Sequence, residues 1–270
     1  MTHPAGNMTV KDRIRAYWSA RAATFDDDAG HKIEPTREAP LWRALITRAL
    51  GPVEGCDVLD LACGTGEISQ QLLDLGARVT GVDFAEPMLA RAQAKLTGRD
   101  WCGVLDDAEL LASQPDTSFD AVVARHLVWT LPDPDAAFRA WARVLRPGGR
   151  LLIVDGDWRH SRYPRRVLRD LADWLDPPEA RGGALDDYRD LLDALKHRGG
   201  PSRTEVATEL RNNGFQAIRP LSVRTIYGRG MVHAPLARRL RLRASARFAL
   251  AAEKTEVRQN WVGFGPICGT

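Results

Sequence analysis

Apolar and polar residues along this chain alternate in two rhythms, short unbroken apolar runs and longer stretches with apolar residues every three or four positions. Val58, Leu59 and Leu61 in DVLDL, Ala77 to Val82, Trp101 to Leu105, Ser118 to Ala124 and RLLIVD at the end of Val144 to Asp155 belong to the first kind and read as buried parallel strands. Helical spacing separates them. Glu67 to Leu75 is closed by Gly76, and Pro134 to Leu145 is opened by Asp133 as N-cap with Pro134 in the first turn. Ahead of the strands, Val10 to Phe25 places Ile14, Tyr17, Trp18, Ala22 and Phe25 on one side of a helix, and Glu38 to Leu50 gives a second helix ending at Gly51-Pro52. This alternation predicts an α/β fold, a doubly wound, mainly parallel sheet whose right-handed crossovers put helices on both faces.

The first strand ends in a turn built to hold something. In DVLDLACGTGEIS, Asp60 lies at the carboxyl end of the apolar run, and Gly64 and Gly66 let the backbone approach a ligand where a Cβ would collide. Ligands of open parallel sheets bind outside the carboxyl ends of the strands. A dinucleotide pattern would want a third glycine at position 69, where this chain has Ser69, and Asp60 would crowd a pyrophosphate. An acid before the glycines suits a ligand carrying positive charge and hydroxyls. Asp83 closes the second strand, where an acid can accept the ribose hydroxyls of a nucleoside lying over the first turn.

Asp60, Ala62, Gly64 and Gly66, spaced in this way, resemble motif I of the class I S-adenosylmethionine-dependent methyltransferases. The resemblance extends from about residue 10 to 158, through YWSARAATFD, GVDFAEPML, DDAE, SFDAVV and VLRPGGRL in the family's order. It points to the small-molecule, ubiquinone-biosynthesis-like type. It implies a Rossmann-like, seven-stranded methyltransferase sheet, S-adenosyl-L-methionine as cofactor and S-adenosyl-L-homocysteine as product. It further implies that Phe84 and Met88 pack on the adenine face, that Asp107 before Ala108 bonds the adenine amino group, and that the first helix covers the ligand with Tyr17, Trp18 and Phe25. Asp106 stands where the family has Gly, so the adenine role could move by one residue. Phe215 to Tyr227 and Arg247 to Lys254 resemble the family's final antiparallel strand pair. The division expected is a helical lid at 1–50, a cofactor-binding core at 51–160, a helical insertion after the fifth strand at 161–200, the rest of the sheet at 201–254 and a tail at 255–270. Within the insertion, Arg166 to Leu175 and Leu185 to Leu195 read as helices, and Pro201 to Asn213 as a crossover helix with Ser202 and Glu205 in a capping box.

ARHLVWTLPDP, after the fourth strand, places Arg125, His126 and Trp129 where an acceptor would approach. Arg125 is assigned to the cofactor edge and Trp129 to the acceptor pocket. His126 is the candidate base, because an imidazole titrates near neutrality, with His160 in reserve. Asp155 and Asp157 lack a third nearby ligand, so no metal is expected.

Composition narrows the partners. The 270 residues are 44% hydrophobic and 27% charged, with a formal charge of +3, which is too small to imply a polyanion by itself. Eleven basic residues between Arg203 and Lys254 face three acids, which keeps open a nucleic-acid or protein methyltransferase beside the leading small-molecule reading. A non-catalytic cofactor-binding module and, remotely, a nicotinamide dehydrogenase also stay open. No RNA-binding motif or N-P-P-Y turn is present. Four cysteines without C-x-x-C pairing, no apolar leader and no membrane-length run predict a cytoplasmic protein with no membrane partner, and an insertion placed to roof the space above His126 and Trp129 favours a small-molecule acceptor with no nucleic-acid partner. The oligomeric state and the role of the tail have no signal in the sequence.

Overall fold

The computed structural model describes residues 8–27, 30–157, 165–176, 191, 195–197, 200–232 and 234–255. His160, most of Leu185 to Leu195 and all but the first residue of the tail lie outside the described residues. The strands are β1 (Asp57–Leu61), β2 (Arg78–Asp83), β3 (Trp101–Leu105), β4 (Phe119–Arg125), β5 (Leu145–Asp157), β6 (Phe215–Leu221) and β7 (Ala246–Lys254). They form one seven-stranded sheet in the order β3-β2-β1-β4-β5-β7-β6. β1 to β5 pair in parallel, whereas β7 runs antiparallel to both β5 and β6. Chain order reverses at β1, flanked by β2 and β4, which opens a crevice at the carboxyl ends of these three strands.

The helices are α1 (Val10–Arg21), α2 (Ala39–Leu50), α3 (Glu67–Asp74), α4 (Glu86–Leu96), α5 (Pro134–Val144), α6 (Arg165–Leu175), α7 (Arg203–Asn212) and α8 (Leu236–Ala244). On one face of the sheet Trp42, Ile46 and Leu50 of α2 pack with Leu72 of α3 against Val58, Val123 and Leu152. On the other, Phe138, Trp141 and Val144 of α5 and Leu210 of α7 pack against Leu59, Leu61, Val122 and Ile153. Successive residues of one strand thus go to opposite cores, which is why the central runs are continuously apolar. The predicted caps form: the Asp133 carboxylate accepts from Ala136 N at 3.0 Å, and Ser202 and Glu205 cap each other's backbone N–H. α1 has a capping box of its own, Thr9 with Asp12.

The chain departs from the sequence reading after β6. The strand ends at Leu221 rather than Tyr227, and Ile226–Gly230 is a single wide helical turn leading to α8. Val223, Ile226, Tyr227 and Met231 recur at three- and four-residue spacing, and all four are buried with Trp42 in the α2-side core, which an extended strand could not achieve. Four arginines of the basic C-terminal region, Arg238, Arg239, Arg241 and Arg243, sit on α8. Arg241 donates to Asp173 at 3.0 Å and Asp176 at 2.6 Å, joining α8 to α6.

Candidate active site

The backbone after β1 takes left-handed conformations at Ala62 (φ 49°), Gly64 (φ 55°) and Gly66 (φ 83°). At Gly66 a Cβ would also be crowded, 3.0 Å from Leu96 Cδ1 and 3.2 Å from Ala92 Cβ, so α4 would have to give by a few tenths of an ångström. Asp83, one residue beyond the Leu61–Val82 pair, folds its carboxylate back onto this turn. Oδ2 accepts from Gly64 N and Oδ1 from Ala85 N, both at 2.9 Å. Burial raises Asp83 to about 6 against the pull of these backbone donors.

Asp60 is 1% exposed and raised to about 7, again by burial, which the hydrogen bond from Ser69 opposes. Ser69 Oγ donates to Asp60 at 2.7 Å and accepts from Trp101 Nε1 at 3.1 Å. The serine that broke the dinucleotide pattern thus anchors the acid of the turn. Beyond β3, Asp106 is occupied by the Asp107 and Ser113 backbone N–H groups and the Ser113 hydroxyl. Asp107 accepts from Glu109 N at 2.8 Å and from Lys11 Nζ at 2.6 Å. Ala108 is buried, with its carbonyl accepting from Trp141 Nε1 at 2.7 Å.

α1 closes on this acid-lined crevice. Lys11 pairs with both Asp107 and Glu109, the latter at 2.7 Å. Trp18 and Phe25 pack with Ala22, Phe84, Ala85 and Met88. Met88 is fully buried in that cluster and Phe84 half-buried. Tyr17 joins Trp18, Phe84 and Trp129 in a second cluster with Ile14, Leu191 and Leu195. The Trp18 and Trp129 rings meet edge to face at 6.3 Å, so α1 reaches from the Phe84–Met88 cluster after β2 to the end of β4. After α1, Asp26 accepts from Thr65 Oγ at 2.5 Å, tying that segment to the glycine turn.

At the end of β4, His126 has a left-handed backbone (φ 58°), fixed by its N–H donating to Val154 O and its carbonyl accepting from Trp129 Nε1, both at 2.8 Å. The bond to the Val154 carbonyl holds the turn against β5. The Asp155 carboxylate steadies the same turn, accepting from Val128 N and Gly156 N at 2.8 Å each, and burial raises it to about 7. Burial, reinforced by Arg125, Arg247 and His31, holds the His126 imidazole well below its ordinary value, so it is neutral at pH 7. Arg125, assigned from the sequence to the cofactor edge, acts on the Asp60 carboxylate, donates to the carbonyls of Gly30 and His31 and lies 4.7 Å over the Trp42 ring. Three residues that the sequence reading did not single out also stand here. They are His31, its ring stacked 4.0 Å from Phe25, and Tyr227 and Arg247, both close to His126.

The residues present fit a sulfonium nucleoside. Three acids along the ends of β1, β2 and β3 would repel a pyrophosphate but offer acceptors to hydroxyls and amino groups, and apolar Phe84 and Met88 adjoin them. Two open clefts, of about 200 and 380 Å³, lie at the opposite, amino ends of the strands, around Arg146 and Trp101, and hold none of these residues. Among the described residues no three His, Cys, Asp or Glu side chains converge as a metal set.

Residues 59–153 match a family described as a methyltransferase domain. The chain is 37% identical to a ubiquinone biosynthesis O-methyltransferase of Idiomarina loihiensis, over 51% of this chain and 58% of that protein. It is 33% identical to a demethylmenaquinone methyltransferase of Renibacterium salmoninarum, over 56% of this chain and 68% of that protein. The chain thus spans little more than half the length of the first of these relatives and two thirds of the second. Among solved structures, a phosphoethanolamine N-methyltransferase of Haemonchus contortus, bound to phosphomonomethylethanolamine and S-adenosylhomocysteine, superposes with a TM-score of 0.63 at 16% identity, covering 93% of this chain and 61% of that one. Sheet order, glycine turn and sequence kinship agree: the chain belongs to the class I S-adenosylmethionine-dependent methyltransferases.

Proposed function

We propose that this protein transfers a methyl group from S-adenosylmethionine to a small organic acceptor, with a quinone-related ring compound as the best-supported class. The names of the two relatives support that class. The observation that carries the small-molecule reading is the enclosure of the strand ends by α1, where Trp18 meets Trp129 and Ile14 packs with Leu191 and Leu195. Strand ends covered in this way favour a metabolite over a polymer.

The bound cofactor supplies an electrophilic methyl group, and displacement from a sulfonium asks the protein for alignment and exclusion of water. In this reading Asp83 accepts the ribose hydroxyls, Asp107 the adenine amino group, and Phe84 and Met88 flank the adenine. Asp60 and the backbone of Ala62, Gly64 and Gly66 face the amino-acid end. Tyr17, Trp18 and Phe25 keep water out, and Trp129 shapes the acceptor pocket. His126, neutral at pH 7, takes the acceptor's proton where the accepting atom carries one. The acceptor atom, O, N or C, is set by what is held beside it.

Incubation with methyl-labelled donor and a panel of hydroxylated aromatic and quinol compounds, beside RNA and protein fractions, tests this. Label is expected in the ring compounds. Label entering RNA or protein at a matching rate, or S-adenosylhomocysteine failing to bind, would overturn it.

A further inference from the structure

We infer that Asp26, Thr65, Glu67 and Lys95 form a clasp that holds the segment after α1 down on the glycine turn and sets how fast the cofactor leaves. The inference rests on the reading above that the amino-acid end of the donor lies against Ala62, Gly64 and Gly66, and it names the residues that control access to that place.

Four parts of the chain meet in the clasp. Asp26 belongs to the short helical turn Phe25–Asp27 that follows α1, Thr65 to the glycine turn, Glu67 to the first turn of α3 and Lys95 to the last turn of α4. Lys95 Nζ donates to one oxygen of Asp26 at 3.2 Å and to one of Glu67 at 2.5 Å. The other oxygen of Asp26 accepts from Thr65 Oγ, and the other oxygen of Glu67 from Ile33 N at 2.6 Å. Every carboxylate oxygen of the clasp is thus used, and the segment is gripped twice, at Asp26 and again at Ile33. Arg125 adds to the hold through the carbonyls of Gly30 and His31. Phe25, the residue before the first grip, lies over the turn itself, since a Cβ on Gly64 would come 3.5 Å from its Cε1.

Charge gives Lys95 the central part. One ammonium stands between two carboxylates, which would repel each other without it. The Lys95, Asp26 and Glu67 side chains are 28, 19 and 12% accessible, against 50 and 32% for Arg78 and Asp57 in the bridge at the amino end of β1. Ion pairs screened from water to this degree hold more firmly than surface pairs. A ligand end seated on the glycine turn beneath Phe25 leaves when the segment lifts, and lifting it separates Asp26 from both Thr65 and Lys95.

The test measures release of tritiated S-adenosylhomocysteine from the full chain after a chase with unlabelled ligand. Asp26→Ala and Lys95→Met are each expected to speed release about tenfold, the effect of losing one hydrogen bond to a charged group. Because the two act through one contact, the double variant should be no more than about threefold faster than either single one. Lys95→Arg and Asp26→Glu, which keep the charges, should restore slow release, a rescue that a general loss of packing would not show. Should Lys95→Met fail to fold, Asp26→Ala against Asp26→Glu decides alone. Unchanged release in the folded variants, effects that multiply in the double variant, or charge-keeping variants as fast as the others would overturn the inference and leave the donor site intact. Failure of the unaltered protein to bind S-adenosylhomocysteine would instead overturn the reading on which it rests, and the inference with it.

Discussion

Asp60, Asp83, Asp155 and Glu38 share one physical condition: each is buried at or near the strand ends and each is raised by that burial, to about 7, 6, 7 and 7 respectively. In the unfolded chain the same groups ionise near 4. Between those values the folded state binds more protons than the unfolded one, so stability present below about pH 4 is lost as pH rises through about 7. Asp57 and Asp135 act in the opposite sense, lowered by hydrogen bonds from Arg78 and Lys196, and lose their contribution as pH falls through their folded values. The ligand-free protein should therefore melt at its highest temperature on the acid side of neutrality, which calorimetry from pH 4.5 to 8 at constant ionic strength would reveal, a melting temperature still rising at pH 8 being the contrary result. Asp83→Asn gives a second check at this scale. The amide cannot accept at both positions from Gly64 N and Ala85 N, and a hydrogen bond to a charged group is worth about 1.5–3 kcal/mol. S-Adenosylmethionine and S-adenosylhomocysteine should each bind about ten to a hundred times more weakly. Unchanged titration curves would remove Asp83 from the ribose role.

Among the elements, α1 is held to the rest more by its ends and one face than by a broad core. Ile14 is the one buried residue within its span, Ala22 follows at its C-cap, and Lys11 bridges to Asp107 and Glu109. Few core contacts go with its loss. Deleting residues 1 to 28 should abolish turnover while the sheet keeps its cooperative unfolding, read by activity and circular dichroism on the same sample. Full activity of the shortened protein would make α1 packing alone. The Lys11 bridge is partly exposed, with side chains 30% and 23% accessible at Lys11 and Asp107, so its share is small. Lys11→Met should weaken cofactor binding by about fivefold at most, as expected of an ion pair worth up to about 1 kcal/mol.

For the whole molecule, the question is whether the basic C-terminal region makes a polyanion surface. It is interrupted: Arg241 is tied to Asp173 of α6 and to Asp176 just after it, Arg219 donates to the carbonyl oxygens of Arg48 and Ala49, and Arg247 turns in towards His126. A protein that neutralises several phosphates loses affinity steeply between about 50 and 200 mM salt. Weak binding to RNA and DNA is the expected result, shallow in its salt dependence and without methyl transfer. A steep salt slope accompanied by labelled nucleic acid would reverse it.

The glycine turn and the acids beside it were legible because their signals are local. An apolar run, an acid at its end and glycines at the turn follow from strand and turn chemistry within a dozen positions, and Asp60, Gly64, Gly66 and Asp83 needed nothing further. Helix caps at Asp133 and Ser202 were readable for the same reason. Tyr227 was misread, since an apolar run with three- and four-residue spacing next to a true strand looks like its continuation until burial against Trp42 decides. Arg247 read only as the first residue of the last strand. It meets His126 only because β7 inserts antiparallel between β5 and β6, which sets Arg247 beside Gly156 and within reach of the end of β4. Local pattern fixes which residues turn and which lie buried; the order of strands in the sheet, a balance of contacts across the whole chain, decides which distant side chains meet at the end of β4.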